Sequence, residues 1–368
     1  MANAGWKFEN VSGSSITNRV LSFSITQGRT KYLDDYAGGR LVLTLNNNNG
    51  MVPSSLYRYG QRITVTNDVG SIFYFYIQNI DYNDYPGSTG LSTATLTAVD
   101  VLGLQGRIQT YSLALTQNNT GLQAAQVGTA YSSIATFNPS FVGASIASAS
   151  TYTGTVLNRL NLLNATERGF IYVMQNGIQM WSRNYMPGAD AGLNFGRTAT
   201  ASEIGYQSLR RIQNGVSFIN RVTVSPEGLA SQTVSNFNGY EPSFYSSTTV
   251  DYDTTQAYNN ASWVAQAMGD PDSLRFEIDF TESSQTNDAI YNLLLWWTPS
   301  YGIRTTNLTY LPPSGSSTTV PVIMEGFTIS GTPTDRTYSL SFSPLTYYQF
   351  FTLNSSTLGI LNTSRLGW

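Results

Sequence analysis

The 368-residue chain contains no cysteine and no histidine. No disulfide can staple it, so its stability must come from packed cores or from assembly. Cysteine nucleophiles, Ser-His-Asp triads, histidine bases and the usual zinc, copper and iron ligand sets are excluded as well. Charge is scarce: 11% of residues are charged, the net charge is −3, and no basic run occurs. Affinity for nucleic acid rests mainly on Lys and Arg neutralising phosphates, so a dedicated DNA binder is not expected. Long apolar runs are missing too. Runs such as Leu293 to Trp297 fall far short of the roughly 20 residues that span a bilayer. No positively charged stretch followed by an apolar one opens the sequence, so no signal peptide is read. A polar, uncharged surface without an export signal predicts a virion protein, made in a cytoplasm and released by lysis inside a particle.

What is present is aromatic and β-forming, with 24 Tyr and 17 Phe among Ser-, Thr- and Asn-rich segments. Such content argues against disorder, and the length predicts two to four domains. Val20 to Ile25 alternates, placing Leu21, Phe23 and Ile25 on one face; Arg40 to Leu45 does the same with Leu41, Leu43 and Leu45. Gly28-Arg29 and Gly38-Gly39 supply backbone freedom between them, Tyr32, Leu33 and Tyr36 offer an apolar plug, and Asn46 to Gly50 is a turn. Tyr57 to Thr66, Ile72 to Ile80 and Ser92 to Val99 complete a predicted antiparallel barrel over residues 1–108, and Asp100 to Arg107 leaves it.

Residues 109–213 read as a small α+β domain. Asn119 to Ile134 and a stretch from Val156 to Leu163 carry helical spacing, while Asn176-Gly177 between alternating apolar runs predicts a hairpin. Residues 214–345 repeat the first domain's pattern. RLVLTLNN, RYGQRITVT, FYFYIQNIDY and TATLTAVD correspond in order to SLRFEIDF, SYGIRTTNL, TVPVIMEGFTIS and RTYSLSFSPL. This second barrel carries an insertion at about 230–270, with a helix predicted from Asn260 to Met268, Asn260 as its cap, and Trp263, Val264 and Ala267 against the barrel. A further helix is predicted from Thr286 to Leu295, and residues 346–368 form a closing tail.

The run SFSITQGRTKYLDDYAGGRLVLTLNN followed by LYRYGQRITVT resembles the opening domain of siphophage tail-tip hub proteins, relatives of baseplate hubs. The ending FTLNSSTLGILNTSRLGW resembles the end of the same family. The resemblance implies a mainly β fold: two tube-like antiparallel β-barrels, a small α+β domain and a C-terminal tail. It implies a homotrimer whose six barrels form a pseudo-sixfold ring that caps a sixfold tail tube or distal ring and closes or gates the DNA channel. Implied partners are the distal tail or tail tube protein, the tape measure protein and a central fibre or receptor-binding protein, with DNA passing through the lumen. The implied location is the virion tail tip. Because the sequence stops soon after the closing segment, receptor binding and wall hydrolysis are expected elsewhere.

No catalytic, cofactor-binding or metal-ligating set is assigned. Glu277 and Asp279 lie two apart on one strand face, where an acid-base pair is weighed against a solvated face. Asp34-Asp35 reads as a loop anchor, and Asp251 with Asp253, or Asp270 with Asp272, as turn chemistry over Ca²⁺ ligation. Gly38-Gly39 and Gly188 to Gly196 lack the motifs of phosphate-binding loops, and the Asn-x-Thr triplets at Asn164 and Asn307 are chance products of composition. Phe73 to Tyr76 and Trp296-Trp297 read as core plus interface ahead of sugar stacking. Two alternatives to the tail hub stay open: a β-rich receptor- or glycan-binding module, and a hydrolase that uses carboxylates alone.

Overall fold

The computed structural model describes residues 5–348 apart from 51, 53–56, 69–71, 86–91, 131–135, 139–142, 144, 176, 183–191, 214–217, 237–241, 270–273, 297–304 and 313–314. The chain is mainly β. Its first six strands are β1 (Lys7–Glu9), β2 (Val20–Gly28), β3 (Arg40–Asn46), β4 (Arg62–Thr66), β5 (Ile72–Asn83) and β6 (Thr93–Val99). They pair antiparallel in the spatial order β1-β4-β5-β6-β3-β2. The period-two pattern of β3 is realised directly: Leu41, Leu43 and Leu45 are fully buried and the residues between them are not. β2 departs from its expected faces. A bulge between Val20 and Ser22 buries Val20 and turns Leu21 out to solvent, while Phe23 and Ile25 point inward.

A short helix, α1 (Val101–Gln105), leads into a middle layer of β7 (Gln109–Leu115), β8 (Asn118–Asn119), α2 (Thr120–Ala130), β9 (Thr136–Asn138), β10 (Ile146–Ala147), β11 (Ser150–Thr155), α3 (Val156–Glu167), β12 (Phe170–Met174) and β13 (Gly177–Trp181). The expected hairpin is there, with Met174 paired to Gly177. α3 begins where Thr155 accepts from the Asn158 amide and ends at Arg168, whose φ of 57° is left-handed. Val127, Leu160, Leu163 and Met180 pack a separate core.

β14 (Asn194–Gly196), β15 (Glu203–Gly205) and β16 (Ser208–Ile212) return to the large sheet. β17 (Arg221–Pro226), β18 (Gln232–Ser235) and β19 (Phe244–Thr249) instead form their own sheet, covered by α4 (Thr254–Met268). The sequence divided the chain near 213; strand pairing instead puts 194–212 in the large sheet with the last strands and sets 221–249 apart in a sheet of its own. α4 also starts six residues earlier than expected. Asp253 caps it, accepting from the Gln256 amide at 2.7 Å, and Asn260 is a buried mid-helix residue. Its Trp263, Val264 and Ala267 belong to one core cluster with Val222 and Val224 of the small sheet, Tyr32, and Ile323 of the large sheet.

The last strands are β20 (Arg275–Thr281), β21 (Thr305–Tyr310), β22 (Thr318–Gly331) and β23 (Arg336–Pro344), with α5 (Asn287–Leu295) after β20. Thr286 caps α5, and Ile290, Leu293 and Leu294 bury its inner face in the large core. Their spatial order, β16-β20-β23-β22-β21-β14, repeats that of the first half, β2-β3-β6-β5-β4-β1. The match extends to register. Phe23, Leu43, Leu96 and Ile80 form one rung across the first half, and Leu209, Ile278, Leu340 and Phe327 form its counterpart. A bulge falls between Ile77 and Asn79 in β5, and another between Met324 and Gly326 in β22. The terminal strand differs, since β1 lies antiparallel to β4 but β14 lies parallel to β21.

Neither half closes on itself among the described residues. β2 runs on into the second half, pairing antiparallel with β22 from Phe23–Gly331 to Gly28–Gly326. One 13-stranded sheet results, over one core that holds Phe8, Leu43 and Phe75 of the first half with Phe276, Ile278 and Phe342 of the second.

Candidate functional site

The seam between β2 and β22 holds a buried ion pair, Arg29 with Glu325. Gly28 ends β2 at φ +87° opposite Gly326. A Cβ on Gly28 would lie 2.3 Å from the Glu325 carbonyl oxygen, and one on Gly326 would lie 2.6 Å from that of Arg29. Two glycines are therefore what allows the backbones to touch. The Arg29 amide then donates to the Glu325 carbonyl at 3.0 Å, and the side chain turns into the protein. Its Nε donates to Glu325 Oε2 at 2.7 Å and its Nη2 to the Tyr348 hydroxyl at 3.0 Å, while that hydroxyl donates to Glu325 Oε1. The guanidinium carbon sits 4.7 Å from the centre of the Tyr36 ring.

Burial opposes the charge on Arg29, but Glu325, Tyr36 and Tyr348 outweigh it and hold the guanidinium above its ordinary range. Burial pushes the Tyr36 and Tyr348 hydroxyls up as well. Every proton in the cluster is thus held fast near neutral pH, which suits a structural pin and not proton transfer. A cavity of about 60 Å³ adjoins it, lined among others by Gln27, Tyr36, Asp100, Trp296 and Glu325. Substrate pockets are roughly 300–1,000 Å³, so this one holds a water or two at most. Asp100 caps α1, accepting from the Gly103 amide at 2.9 Å and from Gln27 Nε2 at 3.3 Å. Burial pushes its carboxyl up to about 7.

Two other ion pairs tie elements together, Arg336–Glu282 buried on both sides and Arg159–Glu227 exposed at the carboxylate. Arg336 of β23 donates through Nε to Glu282 at 2.9 Å, and Tyr338 donates to the same carboxylate at 2.6 Å. Arg159 of α3 donates to Gln123 at 2.6 Å, Ser150 at 3.1 Å and Glu227 at 3.1 Å, joining the middle layer to the β17–β18 turn.

The sequence's candidate residues are dispersed. Glu277 bonds Arg210 at 3.1 Å and Arg275 at 2.6 Å, and Asp279 accepts from Ser339, so both carboxylates are committed on an outer strand face. Asp34 sits in a turn closed onto Lys31. Asp251 is buried under Thr249 and Gln256, and Asp253 is the α4 cap. Asp270, Asp272, Trp297 and residues 188–191 lie outside the described residues, while 194–196 form β14. Asn164 is buried in α3 and Asn307 lies in β21. Gly38 approaches Gly103, where a Cβ would meet its Cα at 2.1 Å. Phe73, Phe75 and Trp296 are buried in the large core. Among the described residues no group of three or more acidic side chains is placed to hold a metal ion. No described helix is long and apolar enough to cross a membrane.

Sequence reasoning read Gly28-Arg29 only as a flexible joint and passed over Glu325. A signal existed: Glu325 is the one charge inside the apolar run VPVIMEGFTI, a position the strand pattern buries.

No protein-family model and no curated protein sequence matches the chain. Solved structures do. A tail protein from Neisseria meningitidis MC58 superposes with a TM-score of 0.62 at 10% identity, over 93% of this chain and 96% of that one. The 43 kDa tail protein of prophage MuSo2 from Shewanella oneidensis gives 0.62 at 12% identity, over 93% and 98%. The E. coli c3393 protein, described as a type VI secretion component similar in structure to T4 phage tail proteins gp27 and gp5, gives 0.51 at 10% identity, over 89% and 73%. The chain has the fold of phage tail proteins along nearly its whole length.

Proposed function

We propose that the chain is a structural protein of a phage tail tip: a trimeric hub that fits a sixfold tail tube or distal tail ring to threefold symmetry. The observation that carries this reading is the repeated strand order, with matching rungs and bulges, in the two halves of the large sheet. A chain that carries one unit twice offers six similar surfaces when three copies assemble. Residues 1–108 and the second repeat up to 345 are the two tube-forming units; each becomes part of a closed wall only in the ring. The net charge of −3 and the polar, uncharged strands suit a lumen through which DNA slides without sticking. The partners follow from that position: the distal tail or tube protein above, the tape measure protein within, and a fibre or receptor-binding protein below. The committed hydrogen bonds of Glu277 and Asp279 support a non-enzymatic role.

Mass photometry and negative-stain imaging of the purified chain, alone and with its distal tail protein, test the proposal. Trimeric rings that bind that protein are expected. Monomers at every concentration, with no complex formed, overturn it.

A further inference from the structure

The two halves are alike in their internal pairing but differ in what their edges meet. In the second half, residues 326–331 of β22 pair with β23 on one side and with β2 of the first half on the other. The counterpart of that stretch is residues 79–83 of β5, since Phe327 and Ile80 occupy the same rung. β6 covers one side of it. Among the described residues no strand pairs with its other side, and Asn79, Asp81, Tyr82 and Asn83 are exposed. The counterpart of β2 is β16, which among the described residues pairs with β20 alone and leaves Ser208, Arg210 and Arg211 exposed. Each chain therefore makes one β2–β22 seam and carries the two unpaired halves of a second.

We infer that β16 of one copy adds to the free edge of β5 in the next copy, in the register that β2 and β22 use within a chain. Phe23 corresponds to Leu209, and Gly331 to Asp84, so the β2–β22 register transposes without adjustable choice. It sets Arg210 opposite Asn83, Arg211 opposite Tyr82 and Ile212 opposite Asp81. Gln213 then faces Ile80, as Gln27 faces Phe327. Charge supplies an independent argument. β16 offers Arg210 and Arg211, and the β5 edge offers Asp81 and Asp84. In this register Arg210 is diagonal to Asp81 on one face and Arg211 diagonal to Asp84 on the other, within reach of a long side chain. Each pair is of opposite sign. Tyr82 and Tyr85 are among the chain's exposed large side chains, as a surface awaiting a neighbour would have it.

The contact is head-to-tail: the two surfaces are different, so repetition yields a ring or an open filament and not a twofold dimer. Backbone hydrogen bonds along an added strand give the affinity, and the charges fix register and direction. The trimer number comes from the proposed function above; the edge pairing does not depend on it.

Because the chain has no cysteine, directed cross-linking has no background. Asn83→Cys and Arg210→Cys are made in separate chains, mixed and mildly oxidised. Directly opposite antiparallel residues lie within disulfide reach. A mixed Asn83–Arg210 disulfide is expected, and the pair Asn83→Cys with Arg211→Cys, on opposite faces, should give none. As a second measurement, D81K/D84K should weaken self-association about tenfold or more, and adding R210D/R211D in the same chain should restore it. Oligomers that form without the mixed disulfide, or that link Asn83→Cys to itself, overturn the edge pairing and leave the ring reading standing. A chain that stays monomeric at every concentration overturns both.

Discussion

Arg29 and Glu325, 296 residues apart in sequence, meet at 2.7 Å beneath the seam that joins the two halves of the large sheet. Both side chains are almost wholly buried, at 3% and 0% exposure. Removing one partner from such a pair strands the other's charge out of water, at a cost of about 3–5 kcal/mol, whereas replacing both by apolar groups of similar volume is often near neutral. Arg29→Met and Glu325→Leu should each lower unfolding free energy by roughly that amount. The double variant should recover most of the loss. Urea titration of the three variants checks this, and additive losses would show that the pair is not a unit.

The close approach of Gly28 and Gly326 makes a related demand. Gly326→Ala pushes a methyl against the Arg29 carbonyl oxygen at 2.6 Å, and the contact is with backbone, which cannot swing aside. The seam itself should loosen while each half keeps its own pairing. Hydrogen exchange should therefore accelerate for amides in 23–29 and 326–331 far more than for those in β3 or β6. Uniform acceleration throughout the large sheet would mean that the seam is not a separable unit.

Much of this architecture is legible in the sequence because alternation survives wherever a strand has one buried face. RLVLTLN and RFEIDFT each show it, and each lies in the order the text of the sequence implies. What is not legible has local causes. Leu21 is turned out by a bulge, which adds one residue and so inverts the face of what precedes it. β7 and β11 are built from QTYSLAL and STYTGT, where small polar residues hide the period. β16, SLRRI, has two adjacent arginines and only Ile212 buried, so no alternation marks it as a strand. Whether a strand continues into its own repeat or into the next one is a matter of long-range pairing, and no local pattern encodes it.

α4 separates capping from burial. Asp253 accepts from the Gln256 amide at its start, so Asp253→Ala should cost about 1 kcal/mol. Trp263 is buried near its middle and donates to the Tyr32 hydroxyl at 3.0 Å. Trp263→Ala should cost about 3–5 kcal/mol, because the cavity sits where the small sheet, α4 and the 29–39 loop converge. Thermal melts should rank the two accordingly. A Trp263 variant no less stable than the Asp253 variant would mean that α4 is held by its own helix and not by packing.

Asp100 gives the fold a pH dependence of unusual sign. Its carboxyl is raised to about 7 by burial, against about 4 in an unfolded chain. Between those values the folded state holds a proton that the unfolded state has released, so stability falls as pH rises through that window. The contribution is fully present below about pH 4 and gone above about pH 7, on the order of 3–4 kcal/mol in all. Asp251, also raised by burial, adds to the same slope. Asp100→Asn keeps an oxygen for the Gly103 amide and removes the titration. Its unfolding free energy should change less between pH 4.5 and 7.5 than that of the parent chain, with the remaining slope assigned to Asp251. If the parent chain instead grows more stable across that range, the Asp100 carboxylate is charged in the folded protein, and the cavity beside Arg29 must hold enough water to solvate it.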